Sequence, residues 1–205
     1  MDRYKTPSPA GKPKVRIVIS ACINDNPQRT EATFCCIHSF LAQTYQNFDI
    51  VIAHDGRLKD NHLVNRIINL SDKITFLNDL PKVGIAGFQH RYPAAIRAPL
   101  CDWVLWTNED NYYCPEFLKI MLHEATTNNA DFVYCNMVHS YLRWNILDTQ
   151  PVQNLIDMGA FMTRMDLVQQ TPWEYFGDAA DGVYVNKLME RAKPHKVHSL
   201  LFTHN

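Results

Sequence analysis

At 205 residues, with 46% hydrophobic, 11% aromatic and 20% charged side chains, the chain has the make-up of a globular protein long enough to bury a core without structural metal. The formal charge of −1, from 20 basic and 21 acidic side chains, excludes a global positive field for nucleic acid or an anionic membrane. Cys22, Cys35, Cys36, Cys101, Cys114 and Cys135 include no Cys-x-x-Cys spacing, so neither a zinc cage nor a disulfide framework is indicated, and reduced thiols in a cytoplasmic setting fit best.

Residues 1–14, rich in Pro, Lys and Ser without an apolar centre, are expected to form a flexible tail, with one domain over 15–205. Nowhere does the chain reach the roughly 18 uninterrupted apolar residues of an integral membrane segment. The β-branched run Val15 to Ser20 predicts a first strand, followed by a polar loop and by Pro27, a residue suited to a helix's first turn. Phe34, Ile37, His38, Leu41 and Ala42 then recur at helical spacing to about Tyr45, and Phe48 to Ala53 predicts a second buried strand.

The alternation continues with a helix near Asn61 to Leu70, a strand Ile74 to Leu77 and a helix from Gly87 to about Arg97. A strand Trp103 to Thr107, a helix Pro115 to Asn128 and a strand Phe132 to Asn136 follow. Beyond Val138 the pattern is less regular: a strand Met158 to Thr163, a helix around Asp181 to Arg191 and a last strand Val197 to Thr203. Strands alternating with helices through short links predict an α/β fold, a mostly parallel central sheet flanked by helices. In such sheets ligands sit beyond the carboxyl ends of the strands.

At one of those ends the strand Trp103 to Thr107 runs into Asn108-Glu109-Asp110-Asn111, and Tyr112-Tyr113-Cys114-Pro115 leads into the next helix. Magnesium and manganese take oxygen ligands from one or two carboxylates plus substrate phosphates, which an acidic turn at a strand end suits. Solvated turn residues would read the same way. No Gly-x-Gly-x-x-Gly follows the first strand and no Gly-rich Lys-Ser/Thr phosphate loop is present, which argues against a rival α/β nucleotide-binding class such as a dehydrogenase or a nucleotidyltransferase.

The turn, its strand and the aromatic-Pro-helix sequel resemble a family 2 glycosyltransferase of the GT-A fold, whose strand ends in Asp-x-Asp; Asn108 falls on the first Asp and Asp110 on the second. The opening Val-Arg-Ile-Val-Ile-Ser-Ala-Cys-Ile-Asn and the stretch from Ser39 to Ile52 resemble the family's first strand and its passage from helix to second strand. The resemblance implies a single GT-A domain that moves a sugar from a nucleoside-diphosphate sugar, UDP-sugar favoured, to an acceptor hydroxyl in glycan or polysaccharide synthesis. It implies Mn2+ or Mg2+ as cofactor, and an acceptor that is a glycan, a lipid-linked molecule or a small molecule. Self-association into a homo-oligomer stays open.

Carried over by position, the resemblance places Ala21, Asn24, Asp55, Gly84, Arg91, Asn108, Glu109 and Gly159 around the donor. Asp55, in Ala53-His54-Asp55-Gly56 where the family has Asp-Asp-Gly, would accept a hydrogen bond from the base. Arg91 and helix amides would meet the diphosphate, and Gly159, in Asp157-Met-Gly-Ala-Phe-Met-Thr-Arg, would let substrate approach the backbone. Asp181, in Gly177-Asp-Ala-Ala-Asp181-Gly, aligns with the catalytic base of an inverting displacement; Asp178 competes for the role, and a helix cap is the structural alternative for Asp181. Asp110 and His204 would hold the metal, His204 being otherwise a frayed terminal residue. Because His54, Asn108 and Ala180 depart from the family's acidic pattern, a non-catalytic domain that only binds a nucleotide sugar is the alternative function.

Overall fold

The computed structural model describes residues 11–23, 26–99, 101–175, 177 and 179–205. Two expected site residues, Asn24 and Asp178, lie outside them. The chain opens with strand β1 (Val15–Ala21), every residue of which is buried, then helix α1 (Pro27–Leu41) and strand β2 (Phe48–His54). Asn26 caps α1 by accepting hydrogen bonds from the Gln28 and Arg29 amides at 3.0 and 3.3 Å, and Pro27 fills the first-turn position where no N–H is needed. Helix α2 (Asn61–Ile68), capped by Asp60, and strand β3 (Ile74–Leu77) follow.

The single helix expected from Gly87 to about Arg97 is instead a 3-10 turn over Ile85–His90 and a short helix α3 (Arg91–Ala95). Gly84 and Gly87, with φ of 75° and 69°, take left-handed conformations that interrupt a regular helix here. Strand β4 (Trp103–Asn108) leads to the two-residue strand β5 (Tyr112–Tyr113), helix α4 (Phe117–Thr127), strand β6 (Phe132–His139) and strand β7 (Asn145–Leu147). Strand β8 (Phe161–Arg164), helices α5 (Met165–Gln170) and α6 (Ala180–Met189), and strand β9 (Pro194–His204) complete the chain.

All nine strands join one sheet in the order β3-β2-β1-β4-β8-β6-β9-β5, with β7 on β6. Strands β1, β2, β3, β4, β6 and β9 share one direction and β5, β7 and β8 oppose it, so the sheet is mostly parallel as expected. The parallel register puts Ala21 beside His54 and Ser20 beside Asn108, so the carboxyl ends of β1, β2 and β4 form one rim. On the far half, β6 runs parallel to β9 with His139 opposite His204, after register irregularities around Cys135 and Asn136 that bend β9. Strand β5 pairs antiparallel with the end of β9, Tyr112 opposite Thr203, and thereby closes the sheet back toward the acidic turn.

Residues 12–14, expected in a loose tail, are tied down. The Lys14 amide donates to Asp102 at 2.6 Å, the Lys14 carbonyl accepts from Asp102 and Trp103, and the Lys12 carbonyl accepts from Asn47. Among the described residues no disulfide joins the cysteines, and no helix is long and apolar enough to cross a membrane.

Candidate active site

Beyond the rim, Arg91 joins the ends of β1 and β4 to the start of α6. The side chain of Arg91 is fully buried. Its Nε donates to Ser20 Oγ at the end of β1 (2.8 Å), one terminal nitrogen donates to Asn108 Oδ1 at the end of β4 (3.0 Å), and the other to Asp181 Oδ1 in the first turn of α6 (3.4 Å). The guanidinium also lies 3.4 Å from the centre of the Phe88 ring. Burial pulls the Arg91 pKa down to about 10, against the opposing fields of Asp181, Asp157 and Glu109, so it stays a cation at neutral pH. The guanidinium expected to meet a diphosphate is thus surrounded by protein partners, and Asn108 spends its side-chain oxygen on it.

Asp181 is not a helix cap. The residue before α6, Ala179, makes no side-chain cap bond, and the Asp181 carboxylate goes to Arg91 and to the Met158 amide (3.4 Å). Beside it lies Asp157, buried, accepting from the Gly159 amide at 2.7 Å. Burial raises both acids to about 6, and each feels the other. Sequence reasoning gave Asp157 no role. Its signal was an acid between Ile156 and Met158 in an otherwise apolar run, the mark of a buried polar residue with a partner.

His204 arrives from the opposite side of the sheet. It is 8% exposed and strand-paired, not frayed, and its Nε2 lies 3.7 Å from Asp157 Oδ2. Its Nδ1 is 3.3 Å from Ser140 Oγ, and its ring stacks on His139 at 4.2 Å. Burial lowers the His204 pKa, while Asp110 and Asp181 pull it the other way. Asp110 is raised first by burial and lowered by His204 and Arg29. Its neighbour Glu109 turns back instead, accepting from the Cys22 amide (3.1 Å) and from Arg29 (3.2 Å), so it braces the loop between β1 and α1.

At the end of β2, His54 Nε2 accepts from the Ile23 amide at 3.1 Å, which leaves its Nδ1–H to donate to the Gly56 carbonyl at 2.8 Å. That neutral tautomer, favoured by the burial that lowers its pKa, makes His54 a brace between loops where the family carries an acid. The Asp55 carboxylate accepts from the Val83 and Gly84 amides at 2.7 and 3.2 Å, and its own amide donates to the Ala21 carbonyl. At Gly159 the space expected to admit substrate is filled: a Cβ would lie 2.5 Å from Phe202 and 2.7 Å from the Tyr113 hydroxyl, so packing accounts for this glycine.

Among the described residues no three His, Cys, Asp or Glu side chains converge as a complete metal cage. Asp110 and His204 lie within each other's field and offer one carboxylate and one imidazole there. Two sizeable concavities lie elsewhere: one of about 790 Å³ between α1 and α2, lined by Phe34, His38 and Arg66, and another of about 380 Å³ near Arg16 and Asp49 at the opposite ends of the strands. The rim chemistry, not cavity size, marks the site.

Residues 35–171 match the model of glycosyl transferase family 2. The chain belongs to that family. No curated protein sequence matches the chain. Among solved structures, TarS 1–349 of S. aureus superposes with a TM-score of 0.70 at 14% identity, covering 95% of this chain and 60% of that one. The same protein in complex with UDP-GlcNAc gives 0.67 at 15% identity, covering 94% and 58%. The mannosyltransferase PcManGT from Pyrobaculum calidifontis, in complex with GDP-Man and Mn2+, gives 0.70 at 13% identity, covering 96% and 58%. These likenesses show that the family 2 chain has the GT-A fold, and that it spans about three fifths of those neighbours' lengths.

The Asp157 and Asp181 pair gives this family 2 domain a distinct pH signature. Because both folded-state values lie above the ordinary 3.8, ionising the pair opposes folding: stability present below 3.8 is lost as pH rises through about 6. The variant Asp157→Asn removes one of the two charges. Its melting temperature relative to the wild type is expected to rise as pH increases across that interval in metal-free buffer. A difference independent of pH would show that the two acids do not share a site.

Proposed function

We propose that this chain transfers a sugar from a nucleoside diphosphate, UDP-sugars favoured, to an acceptor hydroxyl with inversion, in glycan or polysaccharide synthesis. The observation that supports this most is the return of β9, which brings His204 into the fields of Asp110 and Asp181 at the rim of β1, β2 and β4. Around that point stand Asp110, Asp157 and Asp181, whose charge the nearby Arg91 offsets only in part, which favours a divalent cation.

Asp110 and His204 would hold Mn2+ or Mg2+, which when bound stabilises negative charge on the departing diphosphate. Asp181, held in place by Arg91 and the Met158 amide, takes the proton from the acceptor hydroxyl as it attacks the anomeric carbon. Its raised pKa makes it a better base than an exposed carboxylate while leaving it mostly ionised above about pH 6. Asp178 remains the competing base. By the resemblance Ala21, Asn24, Asp55 and Gly84 would border the nucleotide, with Asn108 and Arg91 on the diphosphate side, while Glu109 and Gly159 support the crevice from behind, Glu109 through the Cys22 amide and Arg29 and Gly159 through its packing under Phe202. Likeness to proteins in complex with UDP-GlcNAc and with GDP-Man and Mn2+ agrees with this choice of donor and ion.

The use of Asn108 on Arg91 and the lack of a complete metal cage among the described residues favour the alternative, a domain that binds a nucleotide sugar without transferring it. Melting the protein with each nucleoside diphosphate, with and without Mn2+, tests donor binding. One nucleotide is expected to raise the melting temperature only with metal, and Asp110→Asn or His204→Ala to remove the shift. Sugar release from the donor then separates an enzyme from a binder, and no shift with any nucleotide would sink both.

A further inference from the structure

The hairpin that joins β6 to β7 carries an exposed aromatic platform that the site just described does not use. Tyr141 is 84% exposed and Trp144 57%, with Leu142 and Ile146 also open to solvent. Three of the four tryptophans, Trp103, Trp106 and Trp173, are buried, so Trp144 is the exception. An apolar patch of this kind on a single domain marks a surface that binds something.

Its backbone points the same way. Arg143 and Trp144 both have left-handed φ, 55° and 62°, in a tight turn where the Trp144 amide donates to the His139 carbonyl. Gly or Asn suits such positions, and a bulky side chain there is strained. A tryptophan that is strained and only half covered contributes little to folding where it stands, which leaves binding as the reason for the side chain.

The platform is also continuous with the candidate active site. The His204 ring stacks on His139 at 4.2 Å and lies 5.6 Å from the Tyr141 ring, which in turn is 5.5 Å from His139. Aromatic rings thus run from His204 through His139 to Tyr141, three residues before Trp144 in the same hairpin. The occupant that suits flat, exposed rings beside an acceptor hydroxyl is a pyranose ring, whose C–H face is apolar and whose rim is polar.

We propose that Tyr141 and Trp144 bind the acceptor by stacking on a sugar ring, which makes the acceptor a glycan and not a lipid or a small non-carbohydrate molecule. This rests on the transferase reading, yet the two can fail separately. Iodide quenching of tryptophan emission reports chiefly on Trp144, because the other three are buried. With Mn2+ and the stabilising nucleoside diphosphate present, linear oligosaccharides of glucose, mannose and N-acetylglucosamine are tested for protection of that emission.

Saturable protection by at least one oligosaccharide is expected, with binding about tenfold weaker in Tyr141→Ala. The variant Trp144→Gly, followed by calorimetry with the same oligosaccharide, is expected to lose binding while keeping or raising the melting temperature, since glycine relieves the left-handed turn. A merely structural tryptophan would do the reverse and lower the melting temperature. No protection by any oligosaccharide, protection by phosphatidylglycerol vesicles instead, or protection that grows with protein concentration alone would overturn the glycan assignment. A metal-dependent nucleotide shift that persists in each of those cases keeps the donor site standing.

Discussion

Replacing Asp181 with Asn is expected to lower sugar transfer by about 100- to 10,000-fold, the span associated with loss of a general base, while nucleotide binding in the presence of Mn2+ stays intact. Asparagine keeps the shape of the carboxylate and can still accept from Arg91 and from the Met158 amide, but it cannot take a proton. The fold tolerates the change because Asp157 remains beside Arg91 as a counter-charge. Transfer by Asp181→Asn within a few-fold of the wild type would move the base to another residue, with Asp178 next in line.

The second large effect is on stability. Replacing Arg91 with Met is expected to destabilise the protein by about 3–5 kcal/mol, as happens when one partner of a buried ion pair is removed. Ser20 and Asn108 lose their donor, and Asp181 and Asp157 are left close together without the cation that offsets them. Arg91→Lys recovers only part of the loss, since a single ammonium cannot reach three acceptors set around a planar fork. Urea denaturation measures the difference. A loss under about 1 kcal/mol for Arg91→Met would mean that the three strand and helix ends are held by backbone pairing alone, and that Arg91 is not the joint inferred from its contacts.

The first half of the molecule was legible in the chain because its signals are local. Runs such as Val15 to Ala21 and Phe48 to His54 are β-branched and buried from end to end, as parallel strands covered on both sides must be. Asn26 and Pro27 announce α1 with a cap and a first-turn residue. The acidic turn after β4 and the Asp181 segment could be named from order and spacing, and the structure brings both to one rim together with Arg91. Strand β5 and strand β7 could not be read, since two or three residues carry no period and exist only because β9 and β6 lie beside them.

What only the tertiary structure decided is which partners each polar side chain keeps. Sequence alone determined an α/β chain of family 2 character, a rim of polar residues at the strand ends, and the identity of Asp110, Asp181, Arg91 and His204 as residues worth placing. It could not say that Arg91 faces inward to Ser20, Asn108 and Asp181, that Glu109 turns to Cys22 and Arg29, or that Gly159 is a packing residue under Phe202. Nor could it pair Asp157 with Asp181 or stack His204 on His139, 24 and 65 positions apart. Periodicity and capping depend on neighbours within a turn or two, whereas burial, shared protons and ion pairs depend on contacts across the whole sheet, and those exist only once the chain has folded.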